Sequence, residues 1–340
     1  MTDLQILEAL ATLRQVLMGR VASYMLLTLD ALLESISKEI EKKIMGEVEL
    51  TELGKADLNG MVRDLQALIQ LPAPDLFGVA NAAAMGVVSD FARVNISASL
   101  PPAERLQSIA KTSLSMGDTI GGWYSSLNNQ VQTDIGRAVR AGVAMGKTNR
   151  EISKDIIATK GVLTGAETLQ KAKRNAMAIT RTAVMTAANK ATEASYKANI
   201  EFIKAYLFVA TLDNRTSVQC MALDGSVWSI DGELIKGAKG VQSKKPELPL
   251  HWNCRSVYAP VTRLSDIAPS TRSSMGGQIS SLINFEKFMK KEGDEFGIKM
   301  LGKKRYSLYK DNKISLSELL NTRTLEPLSM AELNKIYPQK

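Results

Sequence analysis

Leu207-Phe-Val-Ala-Thr-Leu212, followed by Asp224-Gly225 and Asp231-Gly232, is the stretch at which this chain changes character. Upstream, apolar residues recur at helical spacing. Here they form a continuous run, and each Asp-Gly pair sits between apolar residues as in a tight hairpin turn. The reading is a small antiparallel β-meander, with Cys220 on the hairpin and Arg255 to Pro260 returning as a further strand. A lysine-rich loop with Gly237, Gly240, Pro246 and Pro249 joins the two.

Moving outward toward the N-terminus, Thr164 to Ala205 is alanine-rich and predicts a long helix leading into the meander. Thr2 to about Gly46 predicts another, with Ile6, Leu10, Leu13, Leu17, Tyr24 and Leu27 three, four or seven residues apart, a stripe that packs on a partner helix. Between them, helices are expected over 47–70, 77–96, 103–115, 119–145 and 149–159, the last capped by Asn149. Leu71-Pro-Ala-Pro-Asp75 and Pro101-Pro102 interrupt the series, because proline removes a donor and disfavours helix in the residue before it. Toward the C-terminus, a Gly-containing linker from Ser273 leads to a helical tail in which Ser315–Glu318 and Ser329–Glu332 have capping-box spacing. The fold class is α+β, mainly α, in three parts: a helical N-terminal region (1–160), a core of long helix plus meander (161–272) and a helical tail (273–340).

A 340-residue chain with 45% hydrophobic residues buries a full core. Two cysteines cannot build a disulfide framework, which predicts a reducing compartment. Continuous uncharged stretches such as Phe77 to Ser89 fall short of the roughly 20 residues a bilayer crossing needs, so no membrane span is expected. The net charge of +8 is unevenly spread. Residues 1–100 hold 8 Lys/Arg against 13 Asp/Glu, and the remainder 35 against 22. This polarity suits contact with nucleic acid or an acidic protein through the C-terminal portion. Phosphate-loop, dinucleotide-binding and nucleophile-elbow motifs are absent.

The single histidine and both cysteines fall within 35 residues: Cys220, then His251-Trp-Asn-Cys254. Two thiolates and one imidazole make a Cys₂His set for zinc, whose fourth ligand is a protein group, with Asp213 and Asp224 the nearby carboxylates, or a water. The same residues also suit an ion-free clasp, with the thiols buried and His251 bonded to Asp213 or Asp224. A Cys–His nucleophile is a third chemistry open to them.

Asp213-Asn-Arg215, Cys220, Leu223-Asp-Gly225, Pro249 and His251-Trp-Asn-Cys254-Arg255 together resemble the core signature of the phage head-morphogenesis proteins, the Mu F-like minor head proteins. Ala178-Ile-Thr-Arg-Thr-Ala183 is similar to the helix preceding that signature. Phe285–Phe288, Leu301–Arg305 and Lys313–Leu319 are similar to the tail that follows it. The resemblance spans about 170–322. It implies a low-copy virion component of the phage head, assembled in the host cytoplasm, associated with the portal and the capsid or scaffold proteins, and assisting head assembly and the packaging or delivery of double-stranded DNA. It implies no enzyme, and that Asp213, Arg215, Cys220, Asp224, Gly225, His251, Cys254 and Arg255 organise the module. Many relatives carry a further cysteine after Cys-Arg, where this chain has Ser256. The acidic N-terminal helices are the expected docking surface and the basic C-terminal portion the expected DNA contact. The alternatives are a cysteine- or zinc-dependent hydrolase or nuclease carried in the virion, and a free cytoplasmic DNA-binding protein.

Overall fold

The computed structural model describes residues 3–46, 48–157, 168–238, 240–262, 271–280, 283–311 and 314–338. Twelve α-helices and six strands occur among them. The chain divides into two compact units: 1–19, 77–110 and 185–340 form unit 1, and 20–76 with 111–184 form unit 2. The divisions fall inside helix α1 (Asp3–Met45) and helix α7 (Thr168–Ala198), so the units interleave along the sequence. The sequence boundary near residue 160 lies outside the described residues.

Unit 2 is helical. Its stretch of α1 buries Ala22, Leu26, Leu29, Leu33, Ile36, Ile40 and Ile44, three or four residues apart, which puts them on one face. Helix α2 (Lys55–Ala67) packs on α5 (Ile120–Ala144), and α5 on α6 (Asn149–Ile157). At the last contact a Cβ on Gly142 would lie 2.5 Å from Ile152, so only glycine lets α6 approach this closely. Asn149 is not the cap the sequence suggested. Thr148 takes that role, its hydroxyl accepting from Glu151 N (3.3 Å) while the Glu151 carboxylate accepts from Thr148 N (2.9 Å). Asn149 instead turns inward, where it accepts from Leu50 N and donates to the carbonyls of Ile44 and Val48.

The stripe expected on α1 is the one left outside. Leu13, Leu17, Tyr24 and Leu27 are exposed, while Ala11, Gln15 and Met18 are buried in unit 1. Alternation by three and four fits either face of this helix, and the buried one is the more continuous. Among the described residues, α1 is also long and apolar enough, from Ala9 to Met45, to cross a bilayer by length and composition, which the sequence reading did not expect.

Unit 1 holds the sheet. Strands β1 (Ile203–Val209), β2 (Val227–Ser229), β3 (Leu234–Lys236) and β4 (Val257–Thr262) pair antiparallel in the order β3-β2-β1-β4. β1, apolar along most of its length, is an interior strand and pairs with both β2 and β4. Asp231-Gly232 makes the β2–β3 turn, Gly232 adopting φ +86°. The segment between β1 and β2 differs from the hairpin expected: it contains helix α8 (Val218–Leu223), and Asp224-Gly225 ends that helix. The linker expected from Ser273 is likewise a hairpin, β5 (Thr271–Ser274) with β6 (Gly277–Ser280). The tail is helical: α9 (Phe285–Glu292), α10 (Asp294–Leu301), α11 (Lys303–Lys310) and α12 (Met330–Ile336). Ser329 and Glu332 form the capping box of α12, whereas Ser315 pairs with Glu318 ahead of a single 3-10 turn. Phe208, Trp228, Phe285 and Phe288 are almost fully buried in one core joining sheet and tail.

Candidate metal centre

Cys220 lies in the first turn of α8. Ser217 caps that helix, its hydroxyl accepting from Cys220 N at 3.3 Å, and so fixes where the thiol emerges. His251 and Cys254 come from one tight turn, closed by Cys254 N donating to the His251 carbonyl at 3.1 Å. Asn253 sits at φ +60°, a left-handed conformation asparagine tolerates. The His-x-x-Cys spacing is therefore the spacing of a β-turn, which folds its first and last side chains back together.

The two sulfurs are 3.8 Å apart, and Cys220 Sγ is 3.3 Å from His251 Nε2. All three donor atoms lie within 4.8 Å of one another. A tetrahedral zinc, with Zn–S about 2.3 Å and Zn–N about 2.0–2.1 Å, requires S–S near ~3.8 Å and S–N near ~3.5 Å. The Cys220–Cys254 and Cys220–His251 spacings match to within a few tenths of an ångström. His251 Nδ1 donates to the Trp252 carbonyl at 2.8 Å, which leaves the Nε2 lone pair of the neutral ring facing the sulfurs. Ser217 Oγ, 2.7 Å from Nε2, is the partner of that nitrogen here. Cys220, His251 and Cys254 thus form a group able to hold a metal ion.

Charge is unevenly shared between the thiols. A hydrogen bond from Cys220, acting against burial and helped by His251, pulls Cys254 well below the ordinary thiol range. Cys220 is pushed the other way by its bond to Cys254 and by burial. Burial disfavours the His251 cation, yet its bond to Cys254 and that thiolate's charge outweigh burial and raise it. A metal taking both thiolates and a neutral imidazole therefore displaces protons, and its affinity falls as pH drops.

Asp213, the sequence candidate for a fourth ligand, is engaged elsewhere. Arg255 donates to both its oxygens at 2.6 and 2.7 Å, and Arg215 N and the Thr216 hydroxyl complete the shell. Arg215's own guanidinium is 75% exposed and lies 3.5 Å from Asp213 at the rim. Asp224 is not a simple turn residue. Its side chain is fully buried and accepts from Ala210 N, Phe285 N and both terminal nitrogens of Arg272, a residue the sequence reading passed over. Gly225, at φ +80°, donates its N–H to the Phe208 carbonyl. Ser256 is buried and, like Ser217, hydrogen-bonds Cys220.

Residues 129–259 match the family described as phage Mu protein F like protein. This segment is Mu F-like. No curated protein and no solved structure matches the chain. The Mu F-like segment runs from within α5 to β4 and includes every residue of the thiol–imidazole group, along with Asp213, Arg215, Asp224, Gly225 and Arg255. Arg272 and the tail lie beyond it.

Two expected outcomes arise from this geometry. Asn253→Val should destabilise unit 1 by about 1–2 kcal/mol while Asn253→Gly is tolerated, because a β-branched residue is strained at positive φ; thermal melts compare them. For Asp213, burial opposes ionisation, but Arg255 and the surrounding donors hold the carboxyl below its ordinary range. A depressed folded pKa contributes stability that is complete above the unfolded value of about 4 and is lost as pH falls through the folded one. Asp213→Asn should flatten the acid limb of a urea-midpoint profile below about pH 4, and an unaltered limb would count against the pairing.

Proposed function

We propose that this chain is a low-copy protein of the phage head, carried in the virion and acting at the portal vertex in head assembly and DNA packaging or delivery, and that it is not an enzyme. The observation supporting this reading is that the Mu F-like segment contains the whole thiol–imidazole group of Cys220, His251 and Cys254 together with the Asp213–Arg255 pair. In this reading the group is a structural clasp that holds zinc. It ties α8 to the turn before β4, and the sheet and tail core then carry the surface presented to portal, capsid or scaffold protein. Free space beside Cys220 and His251 amounts to ≈ 10 Å³, about enough for one water or an ion, which favours a clasp over a substrate site.

Quantitative mass spectrometry of purified virions and empty procapsids tests the reading. Peptides from this chain should appear at a small, fixed number of copies per particle. Absence from both particles, with the protein recovered free in the lysate, would contradict it. Packaged DNA as a partner of the basic C-terminal portion predicts duplex affinity that falls steeply with salt, since phosphate contacts release counterions; a salt-insensitive affinity removes that assignment.

A second reading, a cysteine-dependent hydrolase, draws on the lowered Cys254 thiol beside a raised His251, the pairing of an activated nucleophile. It predicts hydrolytic turnover abolished by His251→Ala. Ser256→Cys separates the two readings. A clasp gains a third thiolate and holds zinc at least tenfold more tightly, whereas a nucleophile gains nothing.

A further inference from the structure

Cys220 and Cys254 are 34 residues apart in sequence, yet their sulfurs touch at 3.8 Å. They are the only cysteines in the chain, and both are free thiols. Each is 1% exposed, so a thiol of another copy has no approach to either, and the partner within reach of each is the other. A disulfide needs its sulfurs about 2.05 Å apart, which asks each side chain to swing its sulfur by about 0.9 Å. Neither residue is fixed in a strand. Cys220 rides the first turn of the six-residue α8, and Cys254 closes the turn that precedes β4, so the backbone on both sides has room to follow. The small cavity that Cys220 and His251 line is bounded also by the exposed side chains of Arg215 and Asn253, which gives a reagent little larger than water a route to Cys220.

We propose that Cys220 and Cys254 join in an intrachain disulfide under oxidising conditions, so that the clasp, held by thiols and imidazole in a reducing compartment, is closed covalently outside it. Hydrogen peroxide serves as the oxidant. Both S–H bonds and the O–O bond break, one S–S bond forms, and the two electrons given up by the sulfurs pass to the peroxide, which leaves as two waters carrying the two thiol protons. The disulfide and a bound metal exclude each other, because the same two sulfurs serve both. Either one ties α8 to the turn before β4, and the disulfide also shortens the unfolded chain by closing a long loop. The bond itself follows from the thiol geometry alone, whereas its use rests on the head-protein reading: a virion component leaves the reducing cytoplasm at lysis, and disulfides persist where the surroundings are oxidising.

Intact-mass spectrometry and thiol counting on the full-length chain test it. Protein reduced and stripped of metal, then freed of reductant and chelator, is exposed to millimolar hydrogen peroxide. The expected product is a single chain two hydrogens lighter, with no thiol left to alkylate after denaturation, a tryptic peptide joining Cys220 to Cys254, and a melting temperature at least five degrees above that of the reduced metal-free chain. Dithiothreitol should restore both thiols and the original mass. Cysteines recovered unreacted after an hour, as sulfinic or sulfonic acids, or as disulfides between copies would overturn the proposal, as would an oxidised chain that melts below the reduced one. Loading the chain with zinc beforehand separates this inference from the metal reading, since zinc on the sulfurs should slow oxidation at least tenfold. A disulfide that forms equally fast with zinc present supports the inference and removes the metal, whereas zinc retained by a chain whose thiols never join, even after stripping, overturns the inference and leaves the metal in place.

Discussion

Arg272→Ala is expected to destabilise unit 1 by about 3–5 kcal/mol, because it leaves the Asp224 carboxylate buried without its cation. Both partners are out of solvent, Asp224 fully and Arg272 with 2% of its side chain exposed. Asp224 also accepts from Ala210 N and Phe285 N, so one carboxylate joins the end of β1, the end of α8 and the start of α9. Arg272 donates in turn to the carbonyls of Ala210 and Ile283. Asp224→Ala should cost at least as much, since it strands two backbone donors as well as the guanidinium. Asp224→Asn keeps an acceptor and should fall between wild type and Asp224→Ala. Urea midpoints at pH 7 measure the series. A midpoint for Arg272→Ala within error of wild type would show that this pair does not hold the tail to the sheet.

On the zinc-clasp proposal, removing the metal is expected to have the other large effect. Structural zinc contributes on the order of 10 kcal/mol of apparent energy to small modules that have little else to fold around. Here the clasp supplements an aromatic core, so ~10 kcal/mol is a ceiling. Chelation, or Cys254→Ser, should lower the melting temperature by ten degrees or more and increase proteolysis between α8 and β4. His251→Ala should do the same, while Asp213→Asn should leave metal retention intact, because Asp213 serves Arg255 and not the ion. Differential scanning calorimetry with and without chelator checks this. Coincident melts in both conditions would reduce the group to an ion-free clasp.

The sequence made the long helices, the proline breaks and the centre of the sheet legible, because each rests on local periodicity or a backbone constraint that neighbours do not override. It also located the thiol–imidazole group, since the lone histidine and both cysteines can share one site only if a turn returns the chain. What it missed was decided by tertiary contact. The outer stripe of α1 and its buried stripe both recur at three and four residues, and packing shows which faces the core. Cys220 rides a helix of six residues, shorter than any periodic signal resolves. Asp224 reads as turn chemistry until Arg272 arrives from a hairpin 48 residues away. A buried arginine in a short polar strand has no signature of its own in the chain. Thr148 displaced Asn149 as cap because the 3-10 turn at Leu50 needed a buried amide to satisfy its backbone.

Metal analysis of the purified full-length chain tests the central claim most directly. After dialysis, inductively coupled plasma mass spectrometry should find one zinc per chain in the wild type and in Asp213→Asn, and none in Cys220→Ser, His251→Ala or Cys254→Ser. Metal-free wild-type protein that melts at the same temperature with and without added zinc would contradict it.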